Sequence, residues 1–169
     1  MICGKFFMQL FILDYDPARA AVMLCDVHLR KMCLETAQIL SGVLFWQGRV
    51  LLPVMPKVYN VAHPVIRAVE TPQKINWVLL YNLALHKEYF RRFGKKHAYS
   101  DLAEKYKYLM YQNQVKTAFA DLTFARDFKG VEITEPDIVQ ADRQYYRFKK
   151  KLLKRWSYTN AQEPDWLKF

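Results

Sequence analysis

Between Asp16 and Gln47, apolar residues fall at nearly every angle of a helical wheel: Ala20, Ala21, Val22, Met23, Leu24, Val27, Leu29, Met32, Leu34, Ala37, Ile39, Leu40, Val43, Leu44 and Phe45. Apolar cover on all sides predicts a single long, buried helix. Asp16-Pro17 supplies its start, because an aspartate side chain caps free N–H groups and the fixed φ of proline suits the first turn. The polar interruptions share one face: His28, Lys31, Glu35 and Gln38 follow one another at intervals of three, four and three residues. As a solvated stripe with an i,i+4 Lys31/Glu35 ion pair, this face needs no function. As the floor of a cleft, it makes Glu35 an acid/base group whose pKa is set by His28 and Lys31.

A second helical period runs from Pro72 to Phe93, with Thr71 as cap and Gly94 as stop. Ile75, Val78, Leu79, Leu83 and Phe90 predict its core face, and Trp77, Tyr81, Glu88 and Arg92 a second face on which the two aromatic residues serve as packing. Between these helices Gly48, Pro53, Pro56, Pro64 and Pro72 exclude a helix of useful length. His63, in that connection, is either bonded to local backbone or presented to a cleft. A third helix is predicted from Ser100 to about Phe119, a loop from Ala120 to Pro136, and a last helix from Asp137 to about Arg155. The opening MICGKFFMQLFIL is closed by Asp14 and Asp16 without a small-residue cleavage site, so it reads as a short buried strand or extended arm and not as a signal peptide. The predicted fold is mainly α: a single compact domain over residues 1–169, with about four helices packed around one long buried helix and a short extended N-terminal arm.

Charge narrows the partner. The 169 residues are 52% hydrophobic and 15% aromatic, which argues against disorder, and 26 Lys plus Arg face 16 Asp plus Glu for a formal net charge of +10. Such an excess on a compact domain points to a polyanion, nucleic acid first, with a membrane surface the weaker alternative. Two segments are suited to phosphate. The turn Gly94-Lys95-Lys96-His97 offers backbone N–H groups and two ammonium groups. The last helix interleaves Lys149, Lys150, Lys151, Lys154 and Arg155 with Tyr145, Tyr146, Phe148 and Trp156, combining charge neutralisation with stacking surfaces. Trp166 is expected to dock back on the body.

Cys3, Cys25 and Cys33 are odd in number, and eight helical residues hold Cys25 and Cys33 roughly 12 Å apart, too far for a disulfide. Free thiols fit a cytoplasmic, reducing compartment. No ligand spacing calls for a metal or cofactor, and a monomer is expected.

Asp26-Val27-His28-Leu29, followed by Glu35 seven positions after the histidine, resembles the catalytic helix of the bacteriophage pyrimidine-dimer DNA glycosylases, the dimer-specific endonuclease V family. LDYDPARAA, CDVHLRKMCLETAQIL, AHP, NWVLLYNLALHKEYFRRFGKKHA and the tail ending at Trp166 are similar to a wider phage and bacterial group. The resemblance implies a helical domain that binds DNA and cleaves the N-glycosidic bond of a damaged or modified base, with Glu35 as the catalytic carboxyl and His28 as the helix histidine. Family arginines around the glutamate stand here as Leu34 and Gln38, and Arg30, Lys31 and Arg92 are the available replacements. The family nucleophile is the N-terminal amine. Here four routes to an attacking group are open: Met1 folded back beside Glu35, a chain starting at Met8, Lys31 as substitute amine, or water activated by Glu35.

Two readings from other classes compete with this one. In the first, the stripe is a buried polar network in a non-catalytic nucleic-acid-binding protein. In the second, the pocket serves an enzyme acting on a free modified nucleotide or base in phage DNA metabolism.

Overall fold

Asp16 caps the first helix as its sequence predicts, its Oδ1 accepting from Ala18 N at 2.7 Å and Arg19 N at 3.2 Å. The computed structural model describes residues 9–49, 55–58, 60–110, 123–124 and 128–168. Among these the chain forms six α-helices: α1 (Pro17–Val22), α2 (Asp26–Trp46), α3 (Pro64–Arg67), α4 (Pro72–Phe93), α5 (Ser100–Met110) and α6 (Ile138–Leu152). A 3₁₀ turn follows at Asp165–Leu167. The architecture is mainly α.

The helix predicted as continuous from Asp16 to Gln47 is two helices, α1 and α2, broken at Met23–Cys25. No glycine or proline marks the break, and distant side chains satisfy the backbone groups it frees. Arg92 donates to Val22 O and Leu24 O, Tyr158 Oη to Met23 O, and Cys25 N donates to Tyr146 Oη. Asp26 N donates to Ser157 O. Buried backbone groups that leave a helix need such partners.

α2 packs against α4, α3 and α5, and α1 lies on α4. Gly42 permits the close approach of α2 to α3, since a Cβ there would lie 2.7 Å from the Ile66 side chain. On α4 Val78 and Leu79 are buried as expected, and so are Trp77, Tyr81, Leu85, Glu88 and Arg92, whereas Phe90, expected on the core face, is exposed. Gly94 ends α4 in the left-handed conformation, φ 65°. The N-terminal arm, over its described part, is extended and buried from Leu10 to Leu13. Asp142 accepts from Ile12 N at 2.8 Å, Tyr81 Oη donates to Phe11 O, and Arg143 Nε donates to Leu13 O. The arm is therefore pinned between α4 and α6.

The predicted third helix beyond Met110, together with Cys3, Met1 and Ile2, lies outside the described residues. At the C-terminus Trp166 does dock: Arg147 Nε donates to its carbonyl at 2.9 Å, and its ring lies 6.2 Å from that of Tyr146.

Candidate active site

The stripe on α2 divides into a buried pair and two residues that reach outward. Glu35 and His28 are 5% and 4% exposed. Lys31, whose side chain is 44% exposed, places Nζ 3.1 Å from Glu35 Oε1. Burial pushes the Glu35 carboxyl up to about 7, opposed by the Lys31 ammonium and by a hydrogen bond from the Gln9 backbone. His28 is not among the causes, contrary to the expectation that it helps set this pKa. Its own pKa is driven down to about 3 by burial and by the charges of Lys31 and Lys149, so it is neutral at physiological pH.

His28 instead sits in an aromatic box. Its ring centroid lies 4.7 Å from that of Phe11, 5.1 Å from Tyr146 and 5.5 Å from Trp156. Among the described residues, Gln9 Nε2, His28 Nδ1 and Glu35 Oε2 are buried without hydrogen-bond partners. Buried polar atoms are ordinarily paired, so these three have hydrogen-bond capacity to spare.

α6 completes the surroundings. Tyr145 and Tyr146 are buried, Tyr145 lying 6.4 Å from Phe11 and Tyr146 5.1 Å from it in an edge contact. Lys149 Nζ lies 5.6 Å from the Tyr145 ring centroid. Burial and the Lys31 charge hold the Lys149 ammonium below its usual range. The interleaving of basic and aromatic residues predicts a DNA-binding surface for Lys149, 114 positions from Glu35. Only the docking of α6 on the arm brings its charge to His28 and Lys31, and periodicity within one helix carries no trace of that.

The other candidates are dispersed. Gln38 Nε2 donates to Lys57 O at 2.9 Å, fastening the α2–α3 connection. His63 Nδ1 accepts from Val65 N at 3.3 Å as the cap of α3, which matches the local backbone role. Arg30 is exposed, with its guanidinium 5.9 Å from the Phe93 ring centroid. Lys95 and Lys96 are exposed on the turn after α4, and Lys96 pairs with Asp101 at 3.1 Å. His97 is half-buried beside His86 and Tyr89. Lys150 bonds Glu163 at 2.7 Å and Leu167 O at 3.2 Å, tying down the tail.

Arg92 corrects the expectation of a DNA contact. It is 1% exposed and spends its donors inside the protein, on Glu88 Oε1 at 2.7 Å, Asp26 Oδ1 at 3.1 Å, Leu24 O and Val22 O. Asp26 in turn accepts from Ser157 Oγ, Thr159 N and Thr159 Oγ1. The aspartate of the Asp26-Val27-His28-Leu29 segment is thus the knot that ties α2 to α4 and the C-terminal tail. The serine and threonine donors hold its carboxylate below the usual range despite burial.

A family model described as pyrimidine dimer DNA glycosylase matches residues 8–101, more than half of the chain. The chain belongs to the pyrimidine dimer DNA glycosylase family. Membership implies DNA glycosylase chemistry with DNA as the partner. The match takes in the arm, α2 with His28 and Glu35, the α3 connection, α4 and the basic turn, and it stops before α6. No curated protein and no solved structure matches the chain significantly. Among the described residues, no helix is long and apolar enough to cross a membrane.

Proposed function

We propose that the protein cleaves the N-glycosidic bond of a damaged or modified nucleotide in duplex DNA, with Glu35 as the acid/base group. The observation that carries this reading is a buried carboxyl held near pH 7 with one oxygen on Lys31 and the other unpartnered. In such a reaction the C1′–N bond breaks and the base departs with its electron pair, while a nucleophile bonds C1′. The Glu35 carboxylate stabilises the cationic sugar and accepts the proton that the nucleophile gives up. Excluded water strengthens both effects. The neutral His28 ring and the Gln9 amide offer spare hydrogen-bond capacity, and the packed rings of Phe11, Tyr146 and Trp156 hold His28 in place.

A glycosylase with an amine nucleophile also performs the lyase step, through a Schiff base at C1′. Two lysines support that version within the described residues: Lys31, 3.1 Å from Glu35, and Lys149, held below the usual ammonium range. Borohydride trapping on a duplex carrying the excised base separates the amine route from the water route, and peptide mapping names the amine. Turnover of free nucleosides equal to that of duplex would instead favour an enzyme of nucleotide metabolism.

The pH profile tests the role of Glu35. The carboxylate is the working form, so excision rises through about pH 7 and levels off above it. Lys31→Met removes the charge that favours the carboxylate, and the rising limb moves to higher pH. A limb that stays in place in this variant would detach Glu35 from the profile.

Binding is expected to be strongly salt-dependent, given a net charge of +10. Lys95→Ala and Lys149→Ala should each lower the slope of log K against log salt by about 0.9, the share of one phosphate contact. Unchanged slopes in both would move the DNA-binding face elsewhere. DNA as substrate fits a cytoplasmic location.

A further inference from the structure

A second cluster of chemistry-bearing side chains lies away from Glu35, where α2, α4 and the basic turn meet. Cys33, His86 and His97 each present a ligand atom, and these atoms lie within 4.8 Å of one another. Cys33 and His86 are buried and His97 is half-buried. We infer that Cys33, His86 and His97 form a site for a zinc-class divalent cation that fastens the turn Gly94-Lys95-Lys96-His97 to the central helix.

Three observations support it. The donor set, one sulfur and two imidazoles, is the one that zinc-class cations prefer. Tetrahedral zinc holds such atoms about 3.5 Å apart, so closing the site asks for movements of about 1 Å. The second observation points to a missing ligand directly: His86 is 94% removed from solvent, yet its Nδ1 has no hydrogen-bond partner. The bonds the two rings do make are long, 3.4 Å from His86 Nε2 to Asn82 Nδ2 and 3.3 Å from Tyr99 N to His97 Nδ1. Exchanging either for a metal bond forfeits little.

The third observation concerns the shell behind the ligands. Asn82 is fully buried, with Nδ2 bonded to Thr36 Oγ1 at 2.8 Å and Oδ1 unpartnered. A half-turn of this amide presents Oδ1 to His86 Nε2–H, the outer-shell carbonyl that a ligating histidine commonly has, provided the Thr36 hydroxyl turns its hydrogen from Met32 O to the amide. The charge of Arg30 reaches His97 and opposes a dication, and the Cys33 thiolate that a metal generates offsets it. With three protein ligands, the fourth position falls to water. The sequence conceals this site because its ligands come from two helices and a turn, at intervals that match no local metal-binding pattern.

The test uses the reduced full-length chain, stripped with a chelator and titrated with Co²⁺ as spectroscopic probe and Zn²⁺ as competitor, without reference to glycosylase activity. One equivalent of Co²⁺ is expected, with a thiolate-to-cobalt charge-transfer band that Zn²⁺ abolishes. Cys33→Ser should remove that band, and His97→Ala should weaken binding by about 100-fold, at least the loss that outer-shell substitutions cause. Absence of the band in the wild-type chain overturns the proposal. So does its persistence in Cys33→Ser, which would assign the thiolate to Cys3 or Cys25. If Cys33→Ser loses its helical circular dichroism, the half-buried His97→Ala decides alone, and unchanged affinity there overturns the site.

Discussion

Replacing Glu35 with glutamine is expected to abolish base release while leaving duplex binding and its salt dependence at the wild-type level. Glutamine keeps the shape and the capacity to hydrogen-bond Lys31 and Gln9, but it can neither take a proton nor oppose a sugar cation. A positioned acid/base group contributes about 10²- to 10⁴-fold, and excision should fall by that factor on a panel of modified duplexes. Excision by Glu35→Gln at the wild-type rate would sink the proposed mechanism.

The same variant carries an independent signature in stability. The folded-state pKa of Glu35, about 7, lies above the ordinary 4.5. Folding therefore favours the protonated carboxyl. That contribution is complete below pH 4.5, fades between pH 4.5 and 7, and is absent above pH 7. Above pH 7 the ionised side chain costs the fold about 3 kcal/mol relative to its protonated form. Glu35→Gln should accordingly melt higher than the wild type at pH 8, and the gain should shrink on acidification. A residue retained at such a cost to the fold fits a group kept for chemistry.

The largest effect on stability is expected at Arg92. Arg92→Met leaves Asp26 buried without its cation, leaves Glu88 to Arg91 alone, and frees Val22 O and Leu24 O at the α1–α2 break. Removing one partner of a buried ionic network costs about 3–5 kcal/mol, a large part of what a single domain possesses. Arg92→Lys should recover little of this, because an ammonium cannot reproduce the planar fork that serves two carboxylates and two carbonyls at once. The unfolding midpoint in denaturant measures it. A loss below about 1 kcal/mol, accompanied by a reduced salt slope for DNA binding, would return Arg92 to the DNA-binding surface. Under the buried arrangement the salt slope of the folded variant is unchanged.

The contrast between Glu35 and Arg92 shows how far one-dimensional patterns reach. Both residues are charged and both interrupt an apolar helix at helical spacing. For Glu35, spacing placed His28 and Lys31 on the same face, and its i,i+4 pairing with Lys31 forms at 3.1 Å. What spacing could not say is that the arm covers this face, turning a surface ion pair into a buried carboxyl. For Arg92, the i,i+4 pair with Glu88 was equally legible, but its decisive partners lie 66 to 70 positions away in the chain. Phe90 is the one expected core residue of α4 that lies exposed, for a related reason: Phe90 and Arg92 differ in hydrophobicity in the expected sense, but the available ionic partners determine which of them is buried.

The sequence by itself determined the helical class, the caps at Asp16 and Thr71, the stop at Gly94, the basic balance and the resemblance to the glycosylase family. These are local or additive properties: a cap needs three neighbours, a net charge needs only a sum. Tertiary structure alone decided that the first long helix breaks at Met23–Cys25, that Asp26 and Arg92 are a structural knot, that His28 is a neutral ring in an aromatic box, and that α6 brings Lys149 to the site. Each of these depends on groups brought together from distant parts of the chain, where burial removes water and makes the identity of a single facing partner decisive.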